Sequence, residues 1–298
     1  MAIILFCSSI GLTIVFMRLF TVPLKKLTIG TERIKAGDYY VRVKNISNDE
    51  MGLLGDTFND MTQSLQEKEF MKDAFGKVVD PCVRDYLLQG NTSLGGENAE
   101  VTVMFCDIRN FTAMSESMKP KDVVSLLNRY FIAMEKCITA NNGIINKYIG
   151  DAIMAIFGSP IQSENCMTHK HKNNHEKNHA VASYKASLEM KRALAELNKS
   201  FAEKNIPPFD FGIGLHSGEV LAGNIGTENR MEYTIIGDTV NTASRIGALC
   251  KTYKTDLLLS ESTLKKIEQT DSELKLSLKF VGESEIRGRV ESVKLYTW

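Results

Sequence analysis

Two aspartates stand where apolar runs end. Asp107 closes the mostly apolar run 101–106, and Asp151 follows Gly150 between two strand-like runs. If the second pair of runs folds beside the first, the two carboxylates meet with no local basic partner. A divalent cation resolves that repulsion, and Mg²⁺ favours one or two carboxylates together with substrate phosphates. An aspartate in a hairpin is also an ordinary turn residue, so that alternative stays open. Residues 108–112 form a short turn whose backbone N–H groups could approach a phosphate. Asn241 and Arg245 lie four apart on a predicted helix and share one face. They sit in its early turns, where the helix dipole already favours anions. An amide and a guanidinium there suit charge developing on a phosphoryl group. A salt-bridged surface arginine is the alternative. Lys147 lies among Ile144, Ile145, Tyr148 and Ile149, where a buried ammonium needs a partner unless it snorkels from an edge strand.

The elements that must position these residues are legible in outline. The run 101–106 reads as a buried strand. Pro120 starts a helix with Val123, Val124, Leu127, Tyr130, Phe131, Met134 and Ile138 as its core stripe, ended by Asn141-Asn142-Gly143. Residues 144–157 read as a hairpin turning at Gly150-Asp151. Residues 209–218 read as a strand and turn, with 220–225 as its hairpin mate, and 233–238 lead into the helix of Asn241 and Arg245.

Upstream, residues 1–17 hold no charged side chain; Arg18, Lys25 and Lys26 follow. About 20 apolar residues span a bilayer, so 1–22 is read as a transmembrane helix, truncated if the chain is a fragment. Positive charge after the run places the rest of the chain in the cytoplasm at the cell membrane. The run is read as a single pass or as the end of a multi-pass protein. A secretory signal peptide would carry its charge first. Leu24, Leu27 and Ile34 mark one helix, ended by Ala36-Gly37-Asp38. Asp49-Glu50-Met51-Gly52 opens a second, with acids where the dipole favours them. Leu54, Phe58, Met61 and Leu65 form its heptad seam, which a dimeric four-helix bundle would bury. The seam breaks past Leu65 and the stretch ends at Asp80-Pro81.

The 36 basic and 36 acidic residues cancel, which removes the footprint of a general nucleic-acid binder. Cys7, Cys82, Cys106, Cys137, Cys166 and Cys250 form no CxxC pair and read as reduced cytosolic thiols.

Residues 21–70 resemble a HAMP linker through Pro23-Leu24, Gly37-Asp38, Asp49-Glu50-Met51-Gly52 and Phe58-Asn59-Asp60-Met61. From Val101 onward the chain resembles the class III adenylyl/guanylyl cyclase catalytic domain. The motifs are residues 105–111, 147–151, 212–218 and 233–245, in the family's order. The resemblance implies an α/β (α+β), ferredoxin-like fold working as a head-to-tail homodimer with active sites between subunits. The expected division is a membrane helix at 1–22, a HAMP linker at 23–70, a coupling segment at 71–97 and a catalytic domain at 98–298.

The resemblance also implies roles. Asp107, Ile108 and Asp151 correspond to the metal site, which takes two Mg²⁺ (or Mn²⁺) ions. Asn241 and Arg245 match residues that orient the ribose and stabilise the pentacoordinate phosphorus. Lys147 and Thr234 match the purine-reading pair, and Arg230 and Arg287 the triphosphate contacts. Adenine presents an N1 acceptor and an N6 donor, which suit a lysine and a threonine hydroxyl. Guanine would set its N1–H against the ammonium. The implied activity is therefore a membrane-anchored adenylate cyclase, making cyclic AMP and pyrophosphate from ATP. Guanylate cyclase is the first alternative. A catalytically silent nucleotide-binding signalling dimer is the other, opposed by the intact set of acids, Asn241 and Arg245. Thr234 matches a subgroup associated with bicarbonate response. His169, His171, His175 and His179 lie in an insertion read as solvated rather than zinc-binding.

Overall fold

The computed structural model describes residues 1–44, 49–116, 118–159, 178–204, 206–270, 277–286 and 292–298. The chain divides into two units, Met1–Val79 and Asp80–Trp298.

The first unit is helical. α1 (Ala2–Phe16) runs into a π-helical turn, Met17–Thr21, and then into α2 (Val22–Lys35), which has Pro23 in its first turn. The expected span at 1–22 is thus divided among these elements rather than forming one α-helix. Among the described residues no helix is long and apolar enough to cross a membrane. After an extended connector, α3 (Glu50–Val78) starts at Asp49, whose carboxylate accepts from the Met51 and Gly52 amides at 3.0 and 3.3 Å. Asn59 clips the connector to α3: its amide donates to the Val43 carbonyl and accepts from the Val43 N–H, both at 2.8 Å. Leu27, Val41, Val43 and Phe58 form the small core. Leu54 and Met61 of the expected seam remain exposed. Loss of the heptad past Leu65 does not end α3, which runs on to Val78.

The second unit begins with α4 (Pro81–Leu88), capped by Asp80. There follow β1 (Gly95–Ile108), α5 (Phe111–Ser115), α6 (Pro120–Ala140), β2 (Gly143–Ile149), β3 (Ala152–Phe157) and α7 (His179–Ala202). Next come β4 (Phe211–Thr227), β5 (Arg230–Ile236), α8 (Asp238–Tyr253), β6 (Leu257–Ser260), α9 (Glu261–Glu268), β7 (Lys279–Ser284) and β8 (Val293–Thr297). The sheet runs β2-β3-β1-β4-β6-β8-β7, with β5 on the far half of β4. The stretch β1-α6-β2-β3-α7-β4, with sheet order β2-β3-β1-β4, is the ferredoxin-like arrangement.

Alternation along β1 feeds two cores. Met104 and Cys106 join Tyr130, Met134, Met190 and Phe211 on the face that includes α6 and α7, while Val101 and Val103 join Ile156, Val220 and Ala243 on the α8 face. α8 approaches so closely that a Cβ on Gly214 would lie 2.2 Å from the Gly247 nitrogen and 2.6 Å from the Ala243 carbonyl oxygen.

Four sequence expectations change here. Residues 209–225 are not a hairpin: β4 is one strand through His216-Ser217-Gly218, laddered to β1 from Ile108 back to Gly95. The α6 stripe holds at Tyr130, Met134 and Ile138, but in the first turns Leu126 is buried and Val124 exposed. Cys82 is disulfide-bonded, so the reading of six reduced thiols fails there. Cys7, Cys106, Cys137 and Cys250 are free. His169, His171 and His175 lie outside the described residues, whereas His179 opens α7 and its Nδ1 lies 2.7 Å from the Thr102 hydroxyl.

Candidate active site

β1 ends at the hairpin of β2 and β3. Cys106 pairs with Ile153, which places Asp107 next to the Gly150-Asp151 turn. Gly150 has φ +64, in the left-handed region that suits glycine. The Asp107 and Asp151 carboxyls lie close enough to act on each other electrostatically. Loss of surrounding water, then the charge of Asp151, push Asp107 up to about 6. The Ile108 N–H, donating to the Asp107 carboxylate, works in the opposite direction. The Ile108 side chain is buried, so only its backbone can serve a ligand. A doubly ionised pair under repulsion fits a divalent cation. Among the described residues no group of three or more His, Cys, Asp or Glu side chains could hold a metal. Further ligands would come from backbone, water and substrate.

Behind the acids, Arg109 locks the end of β1. Its amide donates to the Asp210 carbonyl at 2.8 Å, and its guanidinium pairs with the Asp210 carboxylate at 2.9 Å and donates to the Thr255 carbonyl.

A second group forms where β2 meets β5. These strands are not ladder neighbours, yet side chains bridge them, so the sheet curves to bring them together. Lys147 Nζ is 2.7 Å from a Glu232 carboxylate oxygen. The Thr234 hydroxyl donates to Asn146 Oδ1 at 3.1 Å, and Asn146 Nδ2 donates to the Tyr233 carbonyl at 3.0 Å. Alternation on β5 puts Arg230, Glu232 and Thr234 on one face, with Tyr233 and Ile235 buried on the other. Arg230 is exposed at the tip of the β4–β5 turn, about 13 Å along the strand from Thr234.

Asn241 and Arg245 form the third group, one turn apart on α8, with Asn241 exposed and Arg245 half-buried. The close seat over Gly214 fixes that helix, and Thr239 anchors its start by donating to the Glu219 carbonyl at 2.7 Å. Arg287 lies outside the described residues. A cavity of about 510 Å³, lined by His216, Ser260, Ser262 and Lys294 among others, contains none of these residues.

Strand-end acids, a bridged lysine–threonine corner and an Asn/Arg helix face thus occur together, and residues 96–298 match the family model of the adenylate and guanylate cyclase catalytic domain. The chain belongs to that family. Residues 15–67 match the HAMP domain. An adenylate cyclase from Anabaena cylindrica is 32% identical over 295 residues, covering 92% of this chain and 53% of the relative. The chain therefore spans about half the length of that relative. Among solved structures, the guanylyl cyclase Cya2 is 30% identical with a TM-score of 0.56, covering 68% of this chain and 93% of its own. The adenylyl cyclase CyaB from P. aeruginosa is 28% identical with a TM-score of 0.56, covering 68% and 95%.

Two polar residues of this cyclase domain escape the sequence reading. Glu232 had a signal available, since it stands two before Thr234 on the same strand face. Asn146 had none, because its placement depends on an irregularity in β2.

Proposed function

We propose that this chain is an adenylate cyclase, converting ATP to 3′,5′-cyclic AMP and pyrophosphate. The bond from the ribose 3′-oxygen to the α-phosphorus forms while the bond to the leaving pyrophosphate breaks. The observation that supports ATP most directly is that Lys147 and Thr234 stand in one corner, a donor and a hydroxyl held by Glu232 and Asn146. Asp107, Asp151 and the Ile108 backbone would hold divalent cations, Mg²⁺ or Mn²⁺, two per site. When bound, the ions supply polarisation of the α-phosphate and favour the 3′-oxygen as nucleophile. Arg245 would balance the charge gathering on the phosphoryl oxygens, and Asn241 would orient the ribose. Lys147 would donate to adenine N1 and Thr234 accept from N6. Arg230, with Arg287, would meet the triphosphate.

The sites are assigned to a homodimer, the acids from one subunit and Lys147, Thr234, Asn241 and Arg245 from the other. Residues 23–70 serve as the relay and 71–97 as the coupling segment into 98–298. The exposed apolar side chains of α1, followed by Arg18, Lys25 and Lys26, support an anchor at the cell membrane with the catalytic domain on the cytoplasmic face.

One observation favours the guanylate reading: Glu232 brings a carboxylate to the base-reading corner. Incubating the protein with the Mg²⁺ and Mn²⁺ salts of ATP and GTP, then chromatographing the products, separates the readings. Cyclic AMP as the main product is expected. Cyclic GMP alone, or no cyclic product, overturns the proposal.

A further inference from the structure

β2 contains one residue too many for its ladder. Ile145 pairs with Ala155 and Lys147 with the next residue of β3, Met154, leaving Asn146 as an unpaired bulge. In a regular strand neighbours 146 and 147 would point to opposite faces. The bulge breaks that alternation, and both side chains reach β5: Lys147 to Glu232, Asn146 to Tyr233 and Thr234.

The two Asn146 bonds fix the direction of a third. A backbone carbonyl only accepts, so the group facing the Tyr233 carbonyl must be the amide NH₂. The amide oxygen therefore faces Thr234. That oxygen also only accepts, so the Thr234 hydroxyl must donate to it, and a hydroxyl has one proton to give. With that proton engaged, Thr234 can offer an incoming base only lone pairs. A hydroxyl already donating is also a better acceptor, because hydrogen bonds in a chain polarise one another.

We infer that Asn146 is a specificity-determining positioning residue: by accepting the Thr234 hydroxyl hydrogen bond it makes Thr234 an obligate acceptor, which selects a purine with an amino donor at position 6 over one with a carbonyl there. This rests on the ATP reading above. In the same pose, guanine O6 would set lone pairs against lone pairs, and no rotation of the threonine hydroxyl could relieve the mismatch without breaking the Asn146 bond.

The test compares kcat/KM for ATP and GTP in the full chain and four variants. Asn146→Ala frees the hydroxyl to rotate, and the ATP:GTP ratio should fall about tenfold, the usual size for a relieved polar mismatch. Asn146→Asp keeps an acceptor-only group beside Thr234 and should hold the ratio within about threefold. In a Thr234→Asp background, where the side chain accepts whatever its neighbour does, adding Asn146→Ala should shift the ratio less than about twofold. A merely structural role would lower both nucleotides equally in either background, and that result overturns the inference. So does a loss of selectivity in Asn146→Asp matching that in Asn146→Ala. Failure of the ATP reading shows separately, in the unmutated chain, as absence of cyclic AMP.

Discussion

At Asp107 the structure opposes its own chemistry. The carboxyl has an ordinary value of 3.8 and is pushed up to about 6. Between those values the folded protein holds a proton that the unfolded chain has released. The metal-free fold is therefore favoured on the acid side and loses stability as pH rises through that window, with the cost complete above about 6. A divalent cation needs both carboxylates ionised and competes with that proton. Mg²⁺ or Mn²⁺ should accordingly raise the thermal midpoint more at pH 8 than at pH 5, with affinity falling about tenfold per pH unit below the shifted value. Asp107→Asn should remove the metal-dependent rise and make the metal-free protein more heat-resistant above pH 6 than its parent. Equal metal-induced shifts at both pH values would refute the assignment. The two acids were legible because each closes a strongly apolar run. Glu232 was only half legible: its place two before Thr234 set its strand face, but nothing local marks an exposed acid as the partner of a lysine on another strand.

At the scale of elements, α8 is the piece whose placement is most demanding. Its backbone lies directly on β4, and no side chain fits between them at Gly214. Gly214→Ala should cost about 2–4 kcal/mol, because the obstructing atoms are backbone and cannot swing aside. A thermal melt of the variant measures the loss, and turnover should fall with it as Asn241 and Arg245 move. An unchanged midpoint and activity would mean that the helix is not held this tightly. The spacing of Asn241 and Arg245 was readable from the chain, as were the caps at Asp49 and Asn141. The α6 stripe was readable at Tyr130, Met134 and Ile138 but not at its start, where Val123 and Val124 compete with Leu126 and contact with the sheet decides between them. The Cys106–Tyr130 contact of 3.1 Å lies on the winning side. The unity of β4 was hidden for a related reason. Ser217-Gly218 has turn composition, and only the fourteen-residue ladder to β1 holds it extended.

At the scale of the whole molecule, Lys147 and Asp151 share one hairpin but belong to different reacting groups in the proposed pair. Mixing an Asp107→Ala chain with an Arg245→Ala chain should restore up to about a quarter of parental activity. Random pairing gives half heterodimers, each with one intact site of two. Neither variant alone should exceed a trace. Absence of rescue would argue against shared sites. The ferredoxin-like order came from the resemblance carried by the four motifs, and the strand, hairpin and helix succession agreed with it. The added strands β6, β7 and β8 were not readable, since that part of the chain offered no motif that fixed its pairing.

The long strand β4 has one more consequence. Residues 213–215 are flanked by β1 and β6, and residues 221–224 by β1 and β5. Between these stretches the strand keeps only β1 as a ladder neighbour. On its open side, hydroxyls stand in for a strand: Ser262 donates to the Ser217 carbonyl and Thr239 to the Glu219 carbonyl. Two stiff spans thus meet at a softer joint, clasped by single side chains rather than by a sheet. β5, with Thr234, lies beyond that joint, and Asp107 at the end of β1 lies before it. A load applied to β5 would therefore reach the rest of the sheet through β1 and through these two hydroxyl clasps.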